Sequence, residues 1–443
     1  MSKKTEAIYD ARQLGGGKML VLGLQHMFAM FGATVLVPAL TGLSVSSTLL
    51  FAGIGTLLFH LLSKGIVPAF LGSSFAFLAG YWAIAPNKEP ELLPYACIGV
   101  ACAGLLYVVM SVLFKVFGPK KVMRYFPPIV TGPIIIAIGL TLSSSAISNC
   151  AANWWIACLA IAIVIVCNIW GKGMIKIIPI LCGVVISYVV AALTGGVDFT
   201  AVKEAAWIGL PFKYSETVFS VFEKPDVSLI ITSIITIMPI ALATIVEHIG
   251  DISAISSTVG KNYIANPGLH RTLLGDGLAT TLASLFGAPA NTTYGENTGV
   301  LALSRVYDPR VIRIAAYFAI LFSFSPKFAA LISSMPTATI GGVSLVLYGM
   351  ISAVGVRNVV ENQVDFSKSR NVIIAALILV LSIGIKFGTE AEAIVFNLGN
   401  VSISLSGLAV GAIVGILLNA VLPGKDYEFG HNETGDTSVN FKV

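Results

Sequence analysis

Between residues 19 and 422 the chain is a succession of apolar runs, most about as long as a helix must be to cross a bilayer. Lipid offers no hydrogen-bond partners, so such runs must satisfy their own backbone, and helices do this residue by residue. Charged residues make up only 11% of the 443, less than half the roughly 25% of a soluble domain. The fold class is therefore an all-α polytopic membrane protein, and a soluble multidomain protein is excluded. Seven runs, at 19–43, 48–62, 67–85, 92–116, 127–147, 154–170 and 174–193, precede a polar separator at 196–226. Seven more follow at 227–249, 272–286, 288–303, 311–333, 337–354, 372–385 and 405–422. Hydropathy alone supports about eleven or twelve of the fourteen. The third and tenth are interrupted, and the full count draws partly on a resemblance given below.

Charge tests the alternation. With the N-terminus inside and sides alternating, 21 of the 27 Lys and Arg fall on the cytoplasmic side. Lys88, Lys203, Lys213, Lys224, Lys327 and Lys386 are left outside, the asymmetry that the positive-inside rule expects. Both termini of this multi-pass membrane protein are thus expected in the cytoplasm. The basic first 18 residues lack a cleavage site and read as a cytoplasmic tail, as does 423–443. The six cysteines and five histidines are scattered, so no metal, cofactor or nucleic acid is expected.

The halves echo each other. Leu24-Gln25-His26 matches Val246-Glu247-His248, and Gly53-Ile54-Gly55 matches Gly275-Asp276-Gly277 at the same offset. Ser73-Ser74-Phe75-Ala76 matches Thr292-Thr293-Tyr294-Gly295. An odd number of spans per half inverts the second repeat, giving two inverted seven-segment repeats with segments 3 and 10 interrupted by short extended stretches. In transporters of this build, substrate binds where the interrupted segments meet.

Acids inside the apolar runs are few, and an ionisable group at that depth is costly enough to suggest function. Glu247 and Asp251 are four apart and share a helix face. Glu296 lies in the interrupted tenth run. Asp276 is read with equal weight as a site residue or a rim residue. His248 points about 100° away from Glu247 and reads as a packing or supporting histidine. His26 and His60 read as structural. Phe75 and Tyr294, at matching positions of the two halves, would flank a flat ligand.

The resemblance rests on LQHMFAMFGATVLVP (24–38), LGSSFAF (71–77), EHIGD (247–251), NPGLHR (266–271), NTTYGENTGVLALSRVY (291–307) and GGVSLVLYG (341–349). Over nearly its whole length the chain resembles the bacterial uracil permeases of the nucleobase–ascorbate transporter family. The family signature reads here as Glu296-Asn297-Thr298-Gly299, closing on Ser304-Arg305 with Ser in place of Thr. The resemblance implies fourteen spans, with a core domain at 19–116 and 227–333 and a gate domain at 127–195 and 337–422. It implies a pyrimidine hydrogen-bonded by Glu247 and Glu296, in contact with Phe75, Gly295 and Glu296, and lined further by Tyr294 and Tyr348. A permease of the family carries His where this chain has Asp251, so the role of that position does not transfer unchanged. Proton coupling is assigned to Glu296, Glu247, Asp251 and His248, and a homodimer through the gate domains is implied.

The chemistry agrees. Uracil is neutral and needs no counter-charge, whereas a carboxylate accepts from its N–H and a protonated carboxyl also donates. The expectation is a proton-coupled uracil symporter, with a xanthine- or urate-type purine permease as the alternative. An anion transporter fits less well because two glutamates would repel its substrate. A membrane enzyme would want HExxH or GxSxG, and neither occurs.

Overall fold

The structure, a computed structural model, describes residues 7–398, 401–425 and 427. The first six residues and most of the C-terminal tail expected at 423–443 lie outside the described residues. The first half runs α1 (Gly16–Thr41), α2 (Val45–Leu62), β1 (Leu71–Ser73), α3 (Leu78–Ile84), α4 (Leu93–Phe117) and the short α5 (Pro119–Met123). It continues through α6 (Pro128–Ala151), α7 (Trp154–Ile169), α8 (Met174–Ile177) and α9 (Pro179–Leu193). The single turn α10 (Thr200–Glu204) sits in the polar separator. Then come α11 (Val227–Ile237), α12 (Ala241–Val259), α13 (Leu269–Leu285), β2 (Asn291–Thr293) and α14 (Gly295–Ser304). The chain goes on through α15 (Pro309–Ser323), α16 (Pro326–Ser333), α17 (Thr337–Glu361) and α18 (Ser369–Gly388). A hairpin of β3 (Ala393–Leu398) and β4 (Val401–Ser406) leads to α19 (Gly407–Val421).

Among the described residues, seven helical stretches are long and apolar enough to cross a membrane, or eight if the bent pair α15–α16 is one span. Their surfaces explain the hydropathy. On α4, Leu105, Val109, Val112 and Val116 form an exposed stripe, while Tyr107, Met110 and Phe114 are buried on the other face. In water that stripe would be a liability; against lipid tails it is the proper outer face. This is a multi-pass membrane protein.

Some expected runs take a different form. The eighth extends to Val259 through α11 and α12, and the eleventh bends by 89° between α15 and α16. The tenth is helical only from Gly295. The hairpin before α19 was not anticipated.

The helices pack in two groups. In one, α4 lies on α13, α2 on α13 and α15, and α1 on α15; in the other, α6 lies on α17 and α18, α7 on α9 and α17, and α18 on α19. Apolar side chains gain little by leaving lipid for one another, so close packing rests on small residues. A Cβ on Gly104 of α4 would lie 2.6 Å from the Gly277 carbonyl oxygen of α13, and one on Gly277 would lie equally close to that of Gly104. In the second group, a Cβ on Gly139 would fall onto the Tyr348 carbonyl oxygen. The groups meet where α1 touches α9 and α17, and where α12 touches α6 and α19.

Candidate functional site

Where the groups meet, the interrupted runs cross as a pair of strands. β1 and β2 are antiparallel, with Leu71 opposite Thr293, Gly72 opposite Thr292 and Ser73 opposite Asn291, and all six residues are buried. The ladder is lengthened at both ends, as Ser74 N–H donates to Ala290 O and Tyr294 N–H to Phe70 O, each at 3.0 Å. Two strands leave two open edges, and a buried edge group without a partner costs about 1–3 kcal/mol. Neighbouring helices close them. Thr56 of α2 accepts from Leu71 N–H at 2.9 Å, and Thr280 of α13 donates to Asn291 O at 2.6 Å. Ser73 donates to Thr34 O of α1 at 3.0 Å, and the Asn291 amide donates to Phe51 O.

Tyr294 crosses over the pair. Its hydroxyl donates to Ser73 O at 2.7 Å, and its ring passes so close that a Cβ on Gly72 would lie 2.7 Å from it. Tyr294 thus ties the strands together from within the site. Phe75 packs edge-on against Tyr348 of α17, with ring centroids 5.5 Å apart at 77°. The aromatic facing Phe75 in this way therefore comes from the second helix group. The buried Tyr348 hydroxyl makes no hydrogen bond of good geometry among the described residues.

The antiparallel register sends the helical segment from Phe75 through α3 one way and α14 the other, so both begin at the strand pair. Backbone N–H groups in the first turn of a helix lack intrahelical partners and attract polar or anionic groups. At α14 the neighbour is Asp251, since a Cβ on Gly295 would stand 3.4 Å from Asp251 Oδ1. The other carboxylate oxygen, Oδ2, accepts from the Thr293 hydroxyl at 2.9 Å. Glu247 is one turn earlier on α12 and half-buried. The side chain of Glu296 lies outside the described residues.

Behind this face, His248 Nδ1 is 2.5 Å from Asp276 Oδ2, with neither side chain reaching solvent. Thr293 Oγ1 is 3.4 Å from the same Nδ1, so one threonine touches both His248 and Asp251. Asp276 is not at a helix end: about two turns of α13 precede it, and it is fully buried on a helix that packs on α4, α12 and β2. Flanking glycines within an echo of Gly53-Ile54-Gly55 could have marked it as internal. Sequence reasoning also missed Thr293, one hydroxyl among several in a polar run. His26 and His60 are engaged structurally, His26 with the Asn297 amide at 3.3 Å and His60 Nε2 with Ala69 O at 2.9 Å.

A cleft of about 200 Å³ adjoins α14, lined by Gly295, Gly299, Val300 and Ala29, by Met350 of α17, and by Asn168, Lys176 and 178–181. Of the candidate site residues this cleft touches Gly295, and it lies toward the end of the molecule that α7 reaches at Asn168.

The solved structures similar in fold include the transmembrane domain of a cyanobacterium bicarbonate transporter, BicA. It has a TM-score of 0.58 and 15% identity, covering 94% of this chain and 99% of that one. SLC26A9 gives a TM-score of 0.65 at 15% identity, over 93% of this chain and 66% of that one. At such identities the likeness concerns the fold alone. In sequence, the chain is 42% identical over 418 residues to a uracil permease of Bacillus caldolyticus, covering 92% of this chain and 93% of the relative. It is 38% identical over 411 residues to the uracil permease of Escherichia coli K12, covering 90% of each. A putative pyrimidine permease of the same bacterium, RutG, is 37% identical over 437 residues, 96% of this chain and 94% of the relative. The family described as Permease family matches residues 17–391, and this chain belongs to it.

Proposed function

We propose that this permease carries uracil across the cytoplasmic membrane by alternating access, coupled to the entry of protons. The observation that supports the reading is the buried strand crossing: β2 leads into α14 beside Asp251, and β1 leads to Phe75, packed on Tyr348. A flat neutral base suits an aromatic wall, and carboxylates suit its N–H groups. The near full-length kinship with uracil permeases supports uracil as the substrate over a purine.

In this reading the chain forms fourteen spans in two inverted repeats. The core domain comprises 19–116 and 227–333, and the gate domain 127–195 and 337–422. Glu247 and Glu296 hydrogen-bond the base, Gly295 offers backbone, and Phe75, Tyr348 and Tyr294 enclose it. Asp251, His248 and the two glutamates handle the proton. Charge asymmetry supports both termini and the Lys176 cleft lying on the cytoplasmic side. Pairing through the gate domains gives a homodimer.

Uptake of labelled uracil into proteoliposomes tests this reading. Accumulation should follow an imposed inward proton gradient and collapse with a protonophore. Equal accumulation on a sodium gradient alone would remove proton coupling, and preference for xanthine would move the substrate to the purines.

A further inference from the structure

At the opposite end from the Lys176 cleft the helix groups enclose a second cavity, of about 320 Å³. The topology fixes its side: α6 carries Thr141 past its midpoint, and α7 then turns back at Asn153 to bring Asn168 to the other end. The walls come from both groups, with Trp82 beyond Ala79 on α3, Thr236 on α11, Thr141 on α6, Lys386 on α18 and Glu392 before β3. Ala79 is four residues beyond Phe75, about one helical turn along the same segment.

Its chemistry is specific. The Thr236 hydroxyl is buried, with the residue 1% exposed, and has no hydrogen-bond partner among the described residues. A hydroxyl so placed is stabilised by a ligand that completes its hydrogen bonds. Trp82 is fixed at its edge, where Nε1 donates to Leu40 O at 3.3 Å, and its ring has Lys386 Nζ 6.0 Å from the centroid. Lys386 is ion-paired with Glu392. A plane to stack on, an ammonium to donate to carbonyl oxygen, and a carboxylate to accept from N–H together match a heterocyclic imide. Glu390 also lines the cavity, and with two carboxylates to one ammonium the lining disfavours an anionic ligand.

We propose that this cavity is a second binding subsite, taking a neutral nucleobase of the uracil class before it reaches the strand crossing. The proposal rests on the transport reading above and adds a station to its path. The cavity, the Phe75–Tyr348 pair and the Gly295 cleft then form one route through the molecule.

The test uses the full-length permease with Trp82 as the sole tryptophan and uracil as the probe. Equilibrium binding of labelled uracil reports the central site, and quenching of Trp82 fluorescence reports the cavity. Weak, saturable quenching should persist in Glu247→Ala, where central binding is lost, and should disappear on further Thr236→Val substitution. In transport, Trp82→Ala should raise KM for uptake about tenfold, within the range that base stacking supplies, with maximal rate little changed. Trp82→Phe should restore the KM. Quenching that vanishes in Glu247→Ala together with central binding would overturn the subsite, as would a Trp82→Ala protein slower at saturation with unchanged KM. Central binding that survives in Glu247→Ala would instead overturn the assignment of the central site, and quenching would still judge the cavity.

Discussion

His248 Nδ1 and Asp276 Oδ2 meet at 2.5 Å between α12 and α13, and both side chains are fully enclosed. A polar pair in such a place is weak evidence of added stability, since burying it offsets most of its attraction. Breaking it is another matter. Asp276→Ala would strand the imidazole, and removing one partner of a buried pair typically costs about 3–5 kcal/mol. Asp276→Ala should therefore melt well below the parent in detergent. The double variant Asp276→Ala/His248→Phe, which removes both polar partners, should recover much of the loss. Equal melting temperatures for the single and double variants would mean that the pair does not act as a unit.

Glu247 is expected to be required for binding. It occupies the same face of α12 as Asp251, one turn earlier in the chain, and is half-buried. A hydrogen bond to a charged group contributes about 1.5–3 kcal/mol, so losing even one weakens binding at least tenfold. Glu247→Ala should show no measurable uracil binding by calorimetry. Glu247→Gln should bind weakly, because an amide copies only part of the carboxylate's accepting pattern. An unchanged affinity in Glu247→Ala would take this residue out of the site.

How far these residues were legible follows from what a sequence pattern can encode. Glu247 and Phe75 stood out because an acid or a symmetric aromatic in an apolar run is visible without knowing its neighbours. Asp276 was ambiguous because hydropathy places a residue along a helix and says nothing of what covers it. Phe75 and Tyr294 were paired by internal symmetry, yet the ring packed edge-on against Phe75 is Tyr348, from a helix 273 residues further along. Such a contact is set by helix packing across the two groups and leaves no local trace. The β3–β4 hairpin did leave one, the alternation around Gly399-Asn400, a recognised hairpin signal that the apolar run at 405–422 overshadowed.

Gly72 should tolerate no side chain. A Cβ there would meet Thr34 Oγ1 and the Tyr294 ring at 2.7 Å, with Tyr294 held by its bond to Ser73 O. Overpacking of this kind costs about 1–3 kcal/mol. Gly72→Ala should lower both thermal stability and uracil uptake, and Gly72→Ala/Tyr294→Leu should regain stability more than uptake. A fully active, fully stable Gly72→Ala protein would contradict the close crossing.

Glu296 is expected to link binding to the proton. A neutral carboxyl can donate a hydrogen bond to the base, which an ionised one cannot, so binding should strengthen as pH falls. Glu296→Gln imitates the neutral acid. It should retain some binding while losing both the pH dependence and accumulation against a gradient. Full proton-driven accumulation by Glu296→Gln would end this assignment.

Asp251 is expected to act in coupling or gating, with little part in recognising the base. Its Oδ2 is already taken by the Thr293 hydroxyl at 2.9 Å, and its Oδ1 stands beside the start of α14. Both oxygens thus connect α12 to the strand crossing and to the short helix that begins there. A helix N-terminus favours a nearby negative charge by about 0.3–1 kcal/mol, more when partly buried, so the charge state of Asp251 bears on how firmly α14 is held. Asp251→Asn keeps the shape and removes the charge. It should leave equilibrium uracil binding within a few-fold of the parent while changing the pH profile of uptake. Thr293→Val keeps the charge and removes the hydroxyl, and should shift the same profile less while lowering stability, by about 1 kcal/mol for one hydrogen bond. Calorimetry for binding and proteoliposome uptake across pH for transport separate the two effects. If Asp251→Asn abolished binding and left the pH profile intact, Asp251 would belong to the base-binding surface instead.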